Sequence, residues 1–282
     1  MIKTRNFNLE YTIMSGQPLT FYSDLNTGRL EDKLSYPTSK GHISLVFNRR
    51  TGRISYSYEG NYTEPSAGAE IKRRLGLNQN LVKIYGAINT DTFMKRAIAE
   101  FYGMRITESE PWEATLCFVI SQFNNIKRIR HIIGNLRNKF GDESSQSKKF
   151  PNSESIAAAS LSDIRSCGTG FRDKYIKSVA EEFSSGFNPG RLYRMGYLDA
   201  KEELMQLDGI GDKVADCILL FGYNKFEAFP IDVWVKRVLE KAYFKGRKKS
   251  LKQIHDFSIE RWGKYRGYVQ QYLFWYGRER ML

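Results

Sequence analysis

The chain has 282 residues, 41% of them hydrophobic and 14% aromatic, enough for two or three compact units around sizeable cores. Lys and Arg outnumber Asp and Glu by 44 − 31 = 13, an excess that predicts salt-dependent attraction to a polyanion, with nucleic acid the natural partner. No apolar run reaches the roughly 18 residues of a membrane helix, and the opening MIKTRNFNLEYT has no signal-peptide core, so neither a membrane span nor export is expected and the cytoplasm is the expected compartment.

Phe7, Leu9, Tyr11 and Ile13 alternate with Asn6, Asn8, Glu10 and Thr12, the period of a strand with one buried face. Ser15-Gly16-Gln17-Pro18 follows as a loop, and Asn26-Thr27-Gly28 marks a hairpin. Ile43, Leu45 and Phe47 face Ile54, Tyr56 and Tyr58 across the turn Asn48-Arg49-Arg50-Thr51-Gly52. Up to about Pro65 the chain reads as a small antiparallel sheet.

Helical spacing then takes over: Ile71 and Leu75; Leu81, Ile84 and Tyr85; Phe93, Ile98 and Phe101. Pro111 opens a helix to Ser121, and Ile126 to Phe140 forms another that carries Lys127, Arg128, Arg130, Arg137 and Lys139. Gly141 to Ser153 is a polar loop, expected to be the least ordered stretch. Cys117, Cys167 and Cys217 lie far apart, as do His42, His131 and His255, so no structural zinc, no disulfide framework and no metal or other cofactor is expected.

The chemistry concentrates in 204–240, LMQLDGIGDKVADCILLFGYNKFEAFPIDVWVKRVLE, which reads as helix, glycine-pinned hairpin, helix, crossing and helix start. Leu207, Ile210, Val214, Ile218 and Phe221 recur at steps of three and four, while Gly209 and Gly211 fall where a tight turn needs positive φ or close backbone approach. The Gly209-Ile210-Gly211 turn then points amides outward at a helix start, an anion site that suits a DNA phosphate. Lys213 lies in the first helical turn, where the positive helix end disfavours a protonated amine and favours a nucleophile. Asp232 follows Pro230 and precedes the apolar Val233, Val235, Val238 and Leu239, an N-cap position at which a carboxylate should stay ionised. Amine and carboxylate together suit Schiff-base chemistry at a sugar carbon.

LDGIGDKVADCI followed by PIDVW resembles the helix-hairpin-helix, Gly/Pro-rich loop and aspartate motif of base-excision DNA glycosylases. The lysine makes it similar to the 8-oxoguanine DNA glycosylase/AP lyase family over most of the chain. The resemblance implies an α+β fold, with an N-terminal antiparallel β-sheet domain and helical extension over 1–104 and a mainly helical helix-hairpin-helix glycosylase domain over 105–282. It implies that Lys213 attacks C1′ and Asp232 assists base departure. The Ser-Gly-Gln loop implies that Gly16 accepts a hydrogen bond from the N7–H of 8-oxoguanine. Gln270 would read the base edge, Phe274 would stack on it and Cys217 would flank its other face.

Ser121 to Ile126 lies where the family has an asparagine-rich turn that fills the gap left by a flipped base, with Asn124 and Asn125 retained. The asparagine that meets the orphaned cytosine in the family is here Phe123, which leaves the opposite base in question and suits a wedge into the stack. Arg128 and Arg172 match the two family arginines that hydrogen-bond that cytosine, and Trp234 replaces a phosphate-contacting histidine. Implied partners and setting are double-stranded DNA with an oxidised purine, no membrane, no iron–sulfur cluster, a monomer, and a prokaryotic cytoplasm with use at the nucleoid. Two alternatives stay open: a monofunctional glycosylase for alkylated bases, which uses water and needs no lysine, and a non-catalytic helix-hairpin-helix DNA-binding protein.

Overall fold

The computed structural model describes residues 1–17, 22–24, 31–38, 40–142 and 148–280. Strands β1 (Ile2–Lys3), β2 (Tyr22–Asp24), β3 (Glu31–Thr38), β4 (Gly41–Asn48) and β5 (Arg53–Gly60) form an antiparallel sheet of order β1-β5-β4-β3-β2. The expected pairs hold their register, with Ile43 opposite Tyr58, Leu45 opposite Tyr56 and Phe47 opposite Ile54. Period-two burial decides this, since a slip of one residue would turn Ile43, Leu45 and Phe47 to solvent. The expected Asn26-Thr27-Gly28 hairpin lies outside the described residues, although the flanking β2 and β3 do pair antiparallel.

One expected strand is a helix. Leu9–Met14 forms α1, because Asn8 accepts the Tyr11 amide as an N-cap and Leu9, Thr12 and Ile13 share the buried face. Alternation over so few positions fits a one-sided helix as well as a strand, and the polar Thr12 turns inward by donating to the Asn8 carbonyl at 2.7 Å. Arg49 then ties α1 to the sheet, bidentate to the fully buried Asp32 and bonded to Glu10 at 2.8 Å.

The sheet packs against α1 and α2 (Glu64–Arg74) around Leu34, Tyr36, Ile43, Leu45, Ile54 and Ile71. A second, larger core begins at Leu81 and runs through the helices that follow. These are α3 (Leu81–Ile88), α4 (Thr92–Glu100), α5 (Pro111–Ser121), α6 (Ile126–Phe140), α7 (Ser153–Ala158), α8 (Leu161–Ile164) and α9 (Asp173–Ser185). The chain continues through α10 (Tyr197–Met205), α11 (Asp212–Tyr223), α12 (Val233–Ala242), α13 (Leu251–Trp262) and α14 (Arg266–Arg280). No helix among the described residues is long and apolar enough to cross a membrane.

Buried polar contacts join the two cores. Arg74 of α2, 1% exposed, bonds Glu113 of α5 at 2.6 Å and Glu70 at 2.8 Å. Arg105 donates from its guanidinium to the carbonyls of Gly76, Gln79 and Arg5, while its amide donates to Thr12. Removing one member of a buried ion pair strands the other, at about 3 kcal/mol. Glu113→Ala should therefore lower the urea midpoint by that order. The double variant Arg74→Met with Glu113→Leu should lose less than either single change, as read by circular dichroism.

Candidate active site

The hairpin between α10 and α11 is built on one glycine rather than two. Gly209 has φ 79°, and a Cβ there would sit 2.5 Å from Cγ of Tyr175, so both conformation and close approach require glycine. Gly211 is the extended N-cap of α11 at φ −91° and is exposed, with nothing within 4 Å of a built Cβ. Ile210 is buried beneath the turn, which leaves the amides at the start of α11 facing outward. This is the geometry expected of a phosphate grip.

Helix α11 is buried from Val214 to Tyr223, which carries the carboxylate of Asp216 into the interior. Lys201 of α10 compensates it, lying 2.8 Å from Asp212 and 3.0 Å from Asp216, and the Tyr197 hydroxyl donates to Asp216 at 2.7 Å. Burial raises the Asp216 carboxyl above its ordinary value against the pull of Lys201. The two aspartates hold the Lys201 ammonium in its charged form well above the usual lysine range. Donor atoms of Asp212, Asp216 and His255 lie within 4.8 Å of one another, but the cation that both aspartates meet is Lys201.

Lys213 follows Asp212 in the first turn of α11, and one turn on is Cys217. The Lys213 amine acts on the Cys217 thiol, and both lie within electrostatic reach of Asp232. Burial pushes the thiol up to about 11, so Cys217 stays a neutral wall. Asp232 caps α12, accepting the amides of Trp234 at 3.0 Å and Val235 at 2.8 Å. Its carboxyl is nonetheless raised above the ordinary 3.8 by burial, which outweighs those amides, Lys213 and Arg278. Burial thus competes with the cap at this carboxylate.

The base-pocket candidates come from opposite ends of the chain. A Cβ on Gly16, whose φ is 80°, would lie 2.8 Å from Ile126 Cδ1 and 3.5 Å from Phe274 Cε1. The loop is held on both sides: Gln17 Nε2 donates to the Arg105 carbonyl at 2.6 Å, Gln17 Oε1 accepts the Thr107 amide, and Gln271 Nε2 donates to the Ser15 carbonyl at 3.0 Å. Gln270 is 5% exposed, and its Oε1 is buried without a hydrogen-bond partner among the described residues. An acceptor left so costs about 1–3 kcal/mol, which a ligand donor would relieve. Arg278 was missed from sequence: it lies one turn past Phe274, 5.8 Å from its ring centroid, and acts on Asp232. The i, i+4 row Gln270, Phe274, Arg278 was the available signal.

At the Phe123 turn the structure separates the two arginines. Arg128 is exposed on α6, whereas Arg172 is 3% exposed, with its guanidinium on backbone carbonyls of the turn, contrary to the expectation that both are free to meet a base. Asn125 caps α6 through the Arg128 amide, and Asn124 Nδ2 donates to the Ile120 carbonyl at the end of α5. Gln122, also missed, donates to the Gly209 carbonyl at 3.0 Å and so joins this turn to the hairpin. Trp234 packs its Cβ beside Gly277 and its ring beneath Arg237. A hollow of about 500 Å³ lined by Arg5, Asn80 and Arg105 lies among none of these site residues.

The family model "HhH-GPD superfamily base excision DNA repair protein" matches residues 116–264. A probable N-glycosylase/DNA lyase of Methanothermobacter thermautotrophicus is 41% identical over 119 residues, 42% of this chain and 38% of that protein. The N-glycosylase/DNA lyase of Saccharomyces cerevisiae is 29% identical over 211 residues, covering 61% and 56%. The chain thus spans less than two thirds of these relatives. Among solved structures, the Clostridium acetobutylicum 8-oxoguanine glycosylase/lyase bound to duplex DNA with cytosine opposite 8-oxoguanine superposes with a TM-score of 0.86 at 28% identity, over 98% of this chain and 93% of that one.

The two glycines should separate by substitution. Gly209→Ala should cost roughly 2 kcal/mol or more in stability, from positive φ and the Tyr175 clash. Gly211→Ala should leave the melting temperature unchanged and weaken binding to duplex DNA in a titration. The Lys201 clamp has its own pH window. Its folded-state pKa is raised, so its stabilisation is fully present below the ordinary 10.5 and is lost as pH rises through the higher folded value. Urea midpoints that fall above that pH in wild type, and less steeply in Lys201→Met, would show this.

Proposed function

The chain belongs to the HhH-GPD superfamily of base excision DNA repair proteins, and on that premise we propose that it excises 8-oxoguanine from duplex DNA and nicks the strand through a lysine Schiff base. The observation that carries this is that Lys213 and Cys217 of α11 lie within electrostatic reach of Asp232 at the start of α12, which also feels Arg278, the neighbour of the Phe274 ring on α14. Amides at the Gly211 end of the hairpin hold a backbone phosphate. The damaged purine leaves the stack at a cost of a few kcal/mol and enters the space between Gly16, Phe274 and Cys217.

In the Gly16 loop a backbone carbonyl accepts the N7–H that 8-oxoguanine has and guanine lacks, worth roughly 1–3 kcal/mol of discrimination. The lone pair of the Lys213 nitrogen then forms a bond to C1′ as the C1′–N9 bond breaks, and the base departs with that electron pair and takes up a proton. Asp232, ionised, offsets the positive charge that develops on the sugar. Opening of the sugar ring gives an iminium between Lys213 and C1′, with the ring oxygen becoming a hydroxyl. The iminium acidifies the C2′ proton, whose loss expels the 3′ phosphate with its bonding electrons. Water finally releases the amine.

A lysine in this place distinguishes the proposal from a water-using glycosylase for alkylated bases. Borohydride should trap wild-type protein on a duplex with one 8-oxoguanine and not on undamaged DNA, and Lys213→Gln should form no covalent band. Base release without a band would favour the water-using alternative; neither band nor release would leave a DNA-binding protein. Asp232→Asn should slow base release by about 10²-fold. Because the Asp232 pKa is raised, the acid limb of the wild-type rate should fall at a pH above the ordinary 3.8 of an aspartate.

A further inference from the structure

The turn that carries Phe123 is costly in three ways, and no gain in stability accounts for it. Phe123 has φ 46° without being glycine, a left-handed conformation that surroundings must over-determine. Its ring is 93% exposed and covers no core. Arg172 is 3% exposed, and among the described residues no carboxylate pairs with it, so a charge is buried without a counterion. Strain, exposed aromatic surface and unpaired charge in one turn are what function, rather than folding, explains.

We infer that Arg172 is a positioning residue that holds Phe123 out as a rigid wedge to open the duplex stack, rather than a reader of the orphaned base. The inference rests on the DNA-repair reading above. Its basis is where the guanidinium goes. Nε and Nη2 both donate to the Gln122 carbonyl, Nη2 also to the Phe123 carbonyl at 3.2 Å, and Nη1 to the Thr169 carbonyl at 3.1 Å. One planar fork thereby fixes two successive peptide planes, the pair whose orientation sets φ and ψ at Phe123. Phe171 covers the fork, with its ring centroid 4.4 Å from the guanidinium carbon.

The other side chains of the turn complete the brace. Asn124 ties it to the end of α5 and Asn125 to the start of α6. Gln122 Nε2 bridges the Val119 and Gly209 carbonyls, so wedge and phosphate-gripping hairpin form one body with a set distance between them. An apolar wedge unstacks a base step and offers no hydrogen bond to a base edge. Opening should therefore be indifferent to the base opposite the lesion.

The test uses the full-length protein on duplexes with 8-oxoguanine opposite cytosine, adenine, guanine or thymine. A further duplex carries 2-aminopurine opposite an abasic analogue, where fluorescence reports unstacking without chemistry. Arg172→Ala and Phe123→Ala should each lower kcat for base release roughly tenfold with every opposite base, leave KM nearly unchanged, and abolish 2-aminopurine brightening. Together they should be no worse than either alone. Arg172→Lys, which keeps the charge but not the fork, should behave like Arg172→Ala. Phe123→Ala deletes an exposed side chain and keeps the test sound if Arg172→Ala folds poorly. A loss confined to cytosine duplexes, additive effects, a wild-type rate in Arg172→Lys, or variants that brighten 2-aminopurine as wild type does would each overturn the inference. If wild type brightens 2-aminopurine, releases no 8-oxoguanine, and both alanine variants lose the brightening, the substrate reading fails and the wedge stands.

Discussion

The burial of α11 is the constraint from which the site follows. With every side chain from Val214 to Tyr223 turned into the protein, Asp216 cannot reach water, and its charge must be met inside. Lys201 meets it from α10 and at the same time holds Asp212, so one ammonium fixes the two helices of the hairpin in angle and register. That places Lys213, between the two aspartates in sequence, beside Cys217 and within reach of Asp232. The clamp takes up Asp212 and Asp216 and leaves Lys213 outside it.

The two cores divide labour without being independent. The N-terminal unit supplies the Gly16 loop, where a Cβ would come within 3.5 Å of Phe274. Gln17 and Gln271 bind that loop from opposite sides, and Arg105 ties the segment between the cores to three backbone carbonyls and the Thr12 hydroxyl. Polar contacts buried at such a seam are costly unless complete, which makes the relative placement of loop and helix specific rather than merely stable.

The Phe123 turn and the hairpin present two kinds of surface side by side, one apolar and one built of amides. Gln122 makes them a single rigid element through the Gly209 carbonyl. Gly209 is thus used three ways: its φ makes the turn, its lack of a Cβ admits Tyr175, and its carbonyl anchors the Phe123 turn through Gln122. A bridge of this kind leaves little ordering for a ligand to impose on the two segments.

The sequence alone determined the α+β class, the register of β4 against β5, the bounds of α5 and α6 and the cap position of Asp232, because each rests on local periodicity, a capping position or a short fixed spacing. Where two periods fit equally few residues, as over Leu9 to Ile13, only the Asn8 cap and the Arg49 tether decided for a helix. Tertiary structure alone decided which of two matching arginines is buried, since Arg128 and Arg172 look alike as letters while one fork is taken by Gln122, Phe123 and Thr169. It also decided that Gly209 and not Gly211 is sterically required, and that Arg278 joins the site. The protonation balance of Asp232 belongs here too, for a cap predicts a charged carboxylate and burial by distant segments opposes it. Local pattern determines what a residue can be, and long-range packing determines what its side chain has left to offer.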